Sequence, residues 1–338
     1  MTDPGRTRRS APAGRILVAP DSFKGTLSAG EVIGALAGPL RRSGFEVDGI
    51  PLADGGEGTA EALLAASGGR LVELEVHDPL GRPLTSWYAL LGDGTTVVET
   101  AAASGLGLVA ESERDPERAT TRGTGELIVA ASGYASTILV GVGGSATTDG
   151  GRGAVDAIAA AGGIGDARIA CLCDVRIPWE LAARTFAPQK GADAAAVARL
   201  SARLEHYATE LPRDPTGLPL TGAAGGLAGG LWAACGAELV DGARFVAERV
   251  GLDARMRDAL AVVTGEGRLD ATTLEGKAVG EVTRRAALAG VPVHAVVGED
   301  ASTVAERRAI GLASVREAST AAELAEAAAT LAREIVLH

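Results

Sequence analysis

Apolar residues fall into short runs alternating with helix-patterned stretches at both ends of the chain, whereas the middle strings several runs together without helices. "RILVAP" is a continuous apolar run short enough for a buried strand. "SAGEVIGALAG" follows with helical spacing, opened by Ser28 and Glu31 three residues apart, a capping-box pattern. "EVDGIPLA" predicts a second strand, and "GEGTAEALLAAS" a second helix ending at Gly68-Gly69. This βαβα order predicts a parallel sheet.

The pattern changes from about Arg70. "RLVELEVHDPLGRPLTSWYALLGDGTTVVET" predicts three strands turned at "DPLGRP" and "GDG", with antiparallel pairing. "TILVGV" and "RIACLCDV" predict further strands, and helices are expected from Ala192 to Leu211 and around Leu227 to Gly236. Alternation resumes with the strand "ALAVVTGEG", the helix "GKAVGEVTRRAALAG" and the strand "VPVHAVVG". A helix near Thr303 to Ala309, the strand "LASV" and a helix from Thr320 to Ile335 complete the chain. The expected fold class is α/β, with one discontinuous parallel-sheet domain (15–70 and 252–338) and a mixed α/β domain inserted at 71–251. The Arg-, Pro- and Gly-rich segment 1–14 reads as a disordered tail.

Composition narrows the function classes. The net charge of −11 argues against nucleic-acid or anionic-membrane partners, which need a basic surface. A small anion held by a few focused cations is compatible with it. Cys171, Cys173 and Cys235 are odd in number and lack metal-site spacing, as in reduced thiols of a cytoplasmic protein. The four histidines are scattered, and no window reaches membrane-spanning length.

Five apolar runs end in an acid or a glycine-rich loop: at Asp21, followed by Ser22; at Asp54, followed by Glu57; in "GGSATTDGG"; at Asp174; and at Glu266. In open α/β sheets ligands bind beyond the carboxyl ends of strands. Capping and turn chemistry explain any one of these loops equally well; the five together point to a ligand rim. "GVGGSATTDGG", residues 141–151, leads into a helical stretch, so the backbone N–H groups of Gly143, Gly144 and Ser145 could cradle a phosphate. Asp149 is a candidate Mg²⁺ ligand. Gly141, Gly143 and Ala146 also match G-x-G-x-x-A, leaving a dinucleotide-dependent dehydrogenase as a rival, although no ribose-binding acid follows at the expected place.

Among 32 basic residues only Lys24, Lys190 and Lys277 are lysines, and each adjoins a glycine. A compact ammonium beside a bare backbone suits a transferring phosphoryl group. Ser104 in "AAASGLGL" and Arg122 in "TTRGTGELI" could bind a small carboxylate, with capping an equal explanation. No plausible Ser-His-Asp order or Cys–His pairing is present. Phosphoryl transfer asks instead for positioning, cations on phosphates, carboxylates for Mg²⁺ and a base, and those residue types are here.

The ordered motifs "APDSFKGTLSA", "PLADGGEGT", "AAASGLGL", "TTRGTGELI", "GGSATTDGG", "CDV", "PQKGA", "GAAGGL" and "TGEGRLD…GK" resemble the bacterial glycerate kinase family over nearly the whole chain after residue 14. The resemblance implies a flavodoxin-like domain with an inserted second domain. It also implies transfer of the γ-phosphoryl group of ATP to D-glycerate with Mg²⁺, giving 2- or 3-phosphoglycerate. Chemistry suggests the roles. Lys24 and Lys190 neutralise phosphate or the substrate carboxylate, with Ser22 and Gln189 beside them in their motifs. Asp149 and Asp174 hold Mg²⁺ or take the hydroxyl proton, purposes that Asp21, Asp54 and Glu57 could also serve. Glu266, Arg268, Asp270 and Lys277 line the opposite rim. The segments flanking "CDV" are shorter than in the family, and Thr148, Thr272 and Val279 replace a usual Asn, Gln and Pro. A member that binds nucleotide or sugar acid without turnover, or that phosphorylates another hydroxy acid, is the alternative.

Overall fold

The structure, a computed structural model, describes residues 14–23, 25–271, 273 and 277–337. The tail through residue 13, Lys24 and Thr272 lie outside the described residues. The described strands, in chain order, are β1 (Arg15–Val18), β2 (Glu46–Gly49), β3 (Gly69–His77), β4 (Pro83–Leu91), β5 (Thr96–Glu99), β6 (Thr137–Gly141), β7 (Arg168–Cys173), β8 (Glu238–Asp241), β9 (Ala261–Thr264), β10 (Arg268–Leu269), β11 (Val293–Val297), β12 (Glu299–Asp300) and β13 (Ser314–Glu317).

The apolar run at β1 is buried on both faces, as a parallel strand between helical layers must be. Leu17 and Ala19 point into one core, Ile16 and Val18 into the other, following the two-residue period of a strand. Around β1 a five-stranded sheet forms in the order β2-β1-β9-β11-β13, parallel throughout. Counted along its own strands this order is 2-1-3-4-5, the flavodoxin-like winding. Ser28 and Glu31 form the expected capping box on the helix Ala29–Arg42. That helix and Ala321–Leu337 cover one face of the sheet; Ala278–Ala289 and Gly242–Arg249 cover the other.

The second sheet runs β3-β4-β5-β6-β7-β8. Its first three strands pair antiparallel, and β5 to β8 pair parallel. The three strands expected from residue 70 onward are therefore present. The edge strand β8 was not anticipated, because "ELVD" is too short to show a period. Pairing with β7 creates it, and its last residue, Asp241, caps the helix Gly242–Arg249.

The helices Thr59–Ser67 and Gly242–Arg249 lie where the two sheets meet and serve both cores. Ala62 packs with Leu17 and Ile50, whereas Ala60 and Leu63 pack with Ala89, Leu139 and Leu172. Val246 and Ala247 join the first group, and Phe245 the second. At the seam the backbones touch: a Cβ on Gly242 would stand 2.2 Å from the Asp54 carbonyl oxygen. Gly34, mid-helix, has open space where its side chain would go. Gly242→Ala should therefore destabilise the fold by about 2 kcal/mol or more through overpacking. Gly34→Ala should stabilise it by up to about 1 kcal/mol through helix propensity. Urea denaturation midpoints of the two variants, moving in opposite directions, check this.

Candidate active site

Hydrogen bonds continue past the strand ends of the five-stranded sheet. Ala19 N donates to Val263 O and Asp21 N to Gly265 O, both at 2.8 Å, while Thr264 Oγ1 donates to Ala19 O at 2.8 Å. This lacing sets Asp21 beside Glu266 on one rim, and Asp54 joins from the end of β2. All three carboxylates are buried and, with Lys277, line a cavity of about 410 Å³. Glu266 Oε1 accepts from Thr273 Oγ1 at 2.7 Å, and Lys277 Nζ lies 3.6 Å from Glu266 Oε2 and 3.7 Å from Asp270 Oδ1. Burial raises the Glu266 carboxyl to about 7, against the opposing pull of Lys277 and Thr273. Ser22 Oγ, buried at the same rim, has no hydrogen-bond partner among the described residues. Arg268 is exposed and pairs with Glu299 and Asp270.

The carboxyl edge of the six-stranded sheet carries the cation. Lys190 is 2% exposed, and its Nζ donates to Ser145 Oγ at 2.9 Å and to Thr147 O at 2.5 Å. Burial lowers its pKa to about 7, although the charges of Asp149 and Asp174 pull the other way. Asp174, at the end of β7, comes close to the glycine loop: a Cβ on Gly143 would stand 3.2 Å from its Oδ2. Gly144 has φ +72°, a conformation open to glycine. Gln189 is exposed.

Three expected site residues have other engagements. Asp149 Oδ2 accepts from Thr121 N, Thr121 Oγ1 and Gly153 N at 2.8, 2.9 and 3.2 Å, and Oδ1 from Gly151 N at 3.0 Å. Its carboxylate ties the loop to the start of the helix Arg152–Ala160, a structural task that argues against metal ligation or base catalysis. Ser104 is fully buried, its Oγ accepting from Thr124 Oγ1 at 2.8 Å. Arg122 is exposed and donates to Glu126 at 2.8 Å. Lys190 and Lys277 stand at different edges rather than in one hollow, because they follow motifs belonging to different sheets.

The Asp54–Gly58 loop joins the edges. A Cβ on Gly141 would stand 2.9 Å from Gly55 O, and one on Gly143 2.6 Å from Gly56 Cα. Close passage of this loop, rather than a dinucleotide, accounts for the G-x-G match. Glu57 lies on the outer side, exposed, with Ser22, Trp87 and Glu99 around a second hollow of about 370 Å³. Glu99 escaped the sequence reading, although its signal was the one used elsewhere, an acid ending the apolar run "TTVVET". It accepts from Ala60 N at 2.8 Å and so holds the helix start that follows the loop. Burial raises its pKa to about 7.

A larger groove of about 990 Å³ runs along the helices Gly242–Arg249 and Ala278–Ala289, and no expected site residue lines it.

The sequence profile of the glycerate kinase family matches residues 16–163 and 160–337. The chain belongs to the glycerate kinase family. It is 39% identical over 302 residues to a glycerate 2-kinase of Escherichia coli (strain K12), covering 78% of this chain and 79% of that protein. It is 37% identical over 326 residues to a glycerate kinase of Bacillus subtilis (strain 168), covering 84% and 85%. A crystal structure from Salmonella typhimurium LT2, provisionally assigned as glycerate kinase 2, superposes with a TM-score of 0.79 at 35% identity, covering 96% of this chain and 98% of that one. Among the described residues no group of three or more His, Cys, Asp or Glu is arranged to hold a metal ion. Mg²⁺ commonly takes only one or two carboxylates and fills its shell with water and phosphate oxygens, so the buried Asp21 and Asp54 are a fitting donor set.

The raised Glu99 carboxyl gives a stability prediction. Below its ordinary value of 4.5 both folded and unfolded chains are protonated there. As pH rises from 4.5 to about 7 the unfolded chain ionises Glu99 first, so folding stability falls through that window and levels above it. The loss amounts to roughly 3 kcal/mol. Urea unfolding of wild type and Glu99→Gln between pH 4 and 8 is expected to show the variant's profile flatter by about that amount.

Proposed function

We propose that this chain is an ATP-dependent glycerate kinase of the cytoplasm, transferring the γ-phosphoryl group of ATP to D-glycerate with 2-phosphoglycerate as product. The reading rests above all on one observation: the Asp54–Gly58 loop brings the acid-lined edge of one sheet against the glycine loop, Asp174 and Lys190 of the other. Family membership and the similarity to the Escherichia coli glycerate 2-kinase support it. Buried, unpaired Cys171 and Cys173 fit a reducing compartment.

In this reading the nucleotide's phosphates approach over the cavity of Asp21, Asp54 and Lys277. Mg²⁺, held there by Asp21 and Asp54, would supply charge neutralisation for the phosphate oxygens. The backbone N–H groups of Gly143, Gly144 and Ser145 face the transferred group, in the manner of an anion nest. Lys190 adds positive charge in a water-poor setting, where it counts most. Asp174, beside Gly143, accepts the proton of the attacking hydroxyl. Little covalent chemistry falls to the protein, and positioning carries the rate.

A coupled ADP-release assay with ATP, Mg²⁺ and D-glycerate tests the reading. Turnover is expected, abolished by EDTA and restored by added Mg²⁺, and phosphorus NMR of the product is expected to show phosphate on the second carbon. ATP binding without turnover would favour the non-catalytic alternative, and turnover of another hydroxy acid in a substrate panel would favour a different acceptor. Lys190→Arg and Lys277→Arg should each lower kcat/KM by about tenfold or more, because a forked guanidinium does not fit where a compact ammonium sits. Near-wild-type rates in both would remove these lysines from the chemistry.

A further inference from the structure

We propose that Arg114 and Lys190 together form the seat for the acceptor's carboxylate. This deepens the glycerate kinase reading and rests on it. Arg114 follows the short turn Glu111–Glu113 and lies against the residue after Lys190: a Cβ on Gly191 would stand 3.2 Å from Arg114 Cβ. The two cations line one small hollow walled by Leu106, Val109 and Ala146.

Among the described residues neither cation is hydrogen-bonded or ion-paired to a carboxylate. Arg114 Nε is buried without a hydrogen bond, and its guanidinium makes no ion pair among the described residues. Lys190 uses two of its three N–H donors on Ser145 and Thr147, neither of them a carboxylate. The acid lining the hollow, Asp115, gives its Oδ1 to Glu117 N and Arg118 N at 3.1 and 3.2 Å. A buried donor left without an acceptor is costly and is normally paired. Two cations lining one recess make a receptor for a small anion, and a guanidinium fork matches a carboxylate in two-point fashion. As it stands the hollow is too tight to admit a water molecule. Seating an acid there therefore requires the Arg114 side chain to swing, which its lack of partners permits. So narrow a recess suits the end of a three-carbon acid better than a triphosphate, and the bond from Lys190 to Ser145 sets it next to the glycine loop.

Arg114→Met and Arg114→Lys test the assignment, using steady-state kinetics and isothermal titration calorimetry with D-glycerate and, separately, ATP. In Arg114→Met, the KM and Kd for D-glycerate should rise about 30-fold or more, the loss of a charge-assisted pair of hydrogen bonds. ATP affinity should stay within about twofold, and kcat should fall much less than KM rises. Arg114→Lys should recover part of the affinity, and glycerol, which lacks the carboxylate, should be used no worse by the variants than by wild type. Should Arg114→Met unfold, the Lys variant carries the same comparison. Weakened ATP binding with unchanged acid binding would make the hollow a phosphate seat and overturn the proposal, as would unchanged affinity for both. Wild-type turnover is a separate readout. Acid binding lost in Arg114→Met, in a wild-type protein that phosphorylates no glycerate, would leave the seat standing and fell the reaction; a wild-type protein that binds no small hydroxy acid would overturn the seat.

Discussion

Backbone meeting backbone at the seam between the two sheets is the constraint from which the site follows. A Cβ on Gly55 would stand 2.6 Å from Leu172 O, and one on Gly242 2.7 Å from Gly55 Cα. Ordinary side chains would hold these edges several ångströms apart. Removing them lets the carboxyl ends of β2, β6 and β7 share one loop, so that Asp54 and Asp174, contributed by different sheets, border the same gap. A second glycine seam backs the first. Cβ atoms on Gly225 and Gly230 would stand 2.1 Å from Thr147 O and Gly150 O, so the segment "TGAAGGLAGG" clamps the far side of the glycine loop. The abundance of glycine in this chain is thus an architectural requirement at two interfaces as well as a matter of turns.

The electrostatics divide along the same seam. The five-stranded edge buries carboxylates and the six-stranded edge buries an ammonium, and both are driven toward neutrality, Glu266 upward and Lys190 downward, each to about 7. Burial is the leading cause in both cases. Lys277 lies 3.6 Å from Glu266 and the charges of Asp149 and Asp174 act on Lys190, so each wall offsets part of its own burial cost and a charged ligand can offset more. In the proposed reaction a metal-bound nucleotide meets the acidic wall and a small acid meets the basic one, so each substrate relieves the penalty stored on its own side.

The fold was largely legible because its strands are short apolar runs with clear stops, and because Ser28 and Glu31 mark a helix start by themselves. β8 and the helix Gly242–Arg249 were not, since their positions are fixed by a neighbouring strand and a glycine contact rather than by local periodicity. At the site, the acids ending apolar runs marked the rim, yet residue type alone could not tell a ligand from a tether. Asp149 shows the difference: four hydrogen donors within its own neighbourhood absorb the carboxylate that spacing had offered to Mg²⁺. Arg114 shows the reverse. In "AESERDPER" it looks like one more solvated charge, and only the folded chain buries its Nε.

Phosphoryl transfer makes its largest demand on position, and the most constrained segment is the one that would face the transferred group. Residues 143–153 are held by the Asp149 tether, by Lys190 on Ser145 and Thr147, by Arg203 on Thr148 O at 3.1 Å, and by both glycine seams. The opposite rim carries short strand pairings among the described residues. Its β10 and β12 pair over two residues each, and Lys277 reaches its acids at 3.6 and 3.7 Å. In the proposed reaction a firmly tethered cradle facing that wall places adjustment on the nucleotide side. That is where a metal ion can recruit oxygens from water and phosphate, whereas the reacting centre, with no such freedom to borrow, must be correct before the substrates arrive.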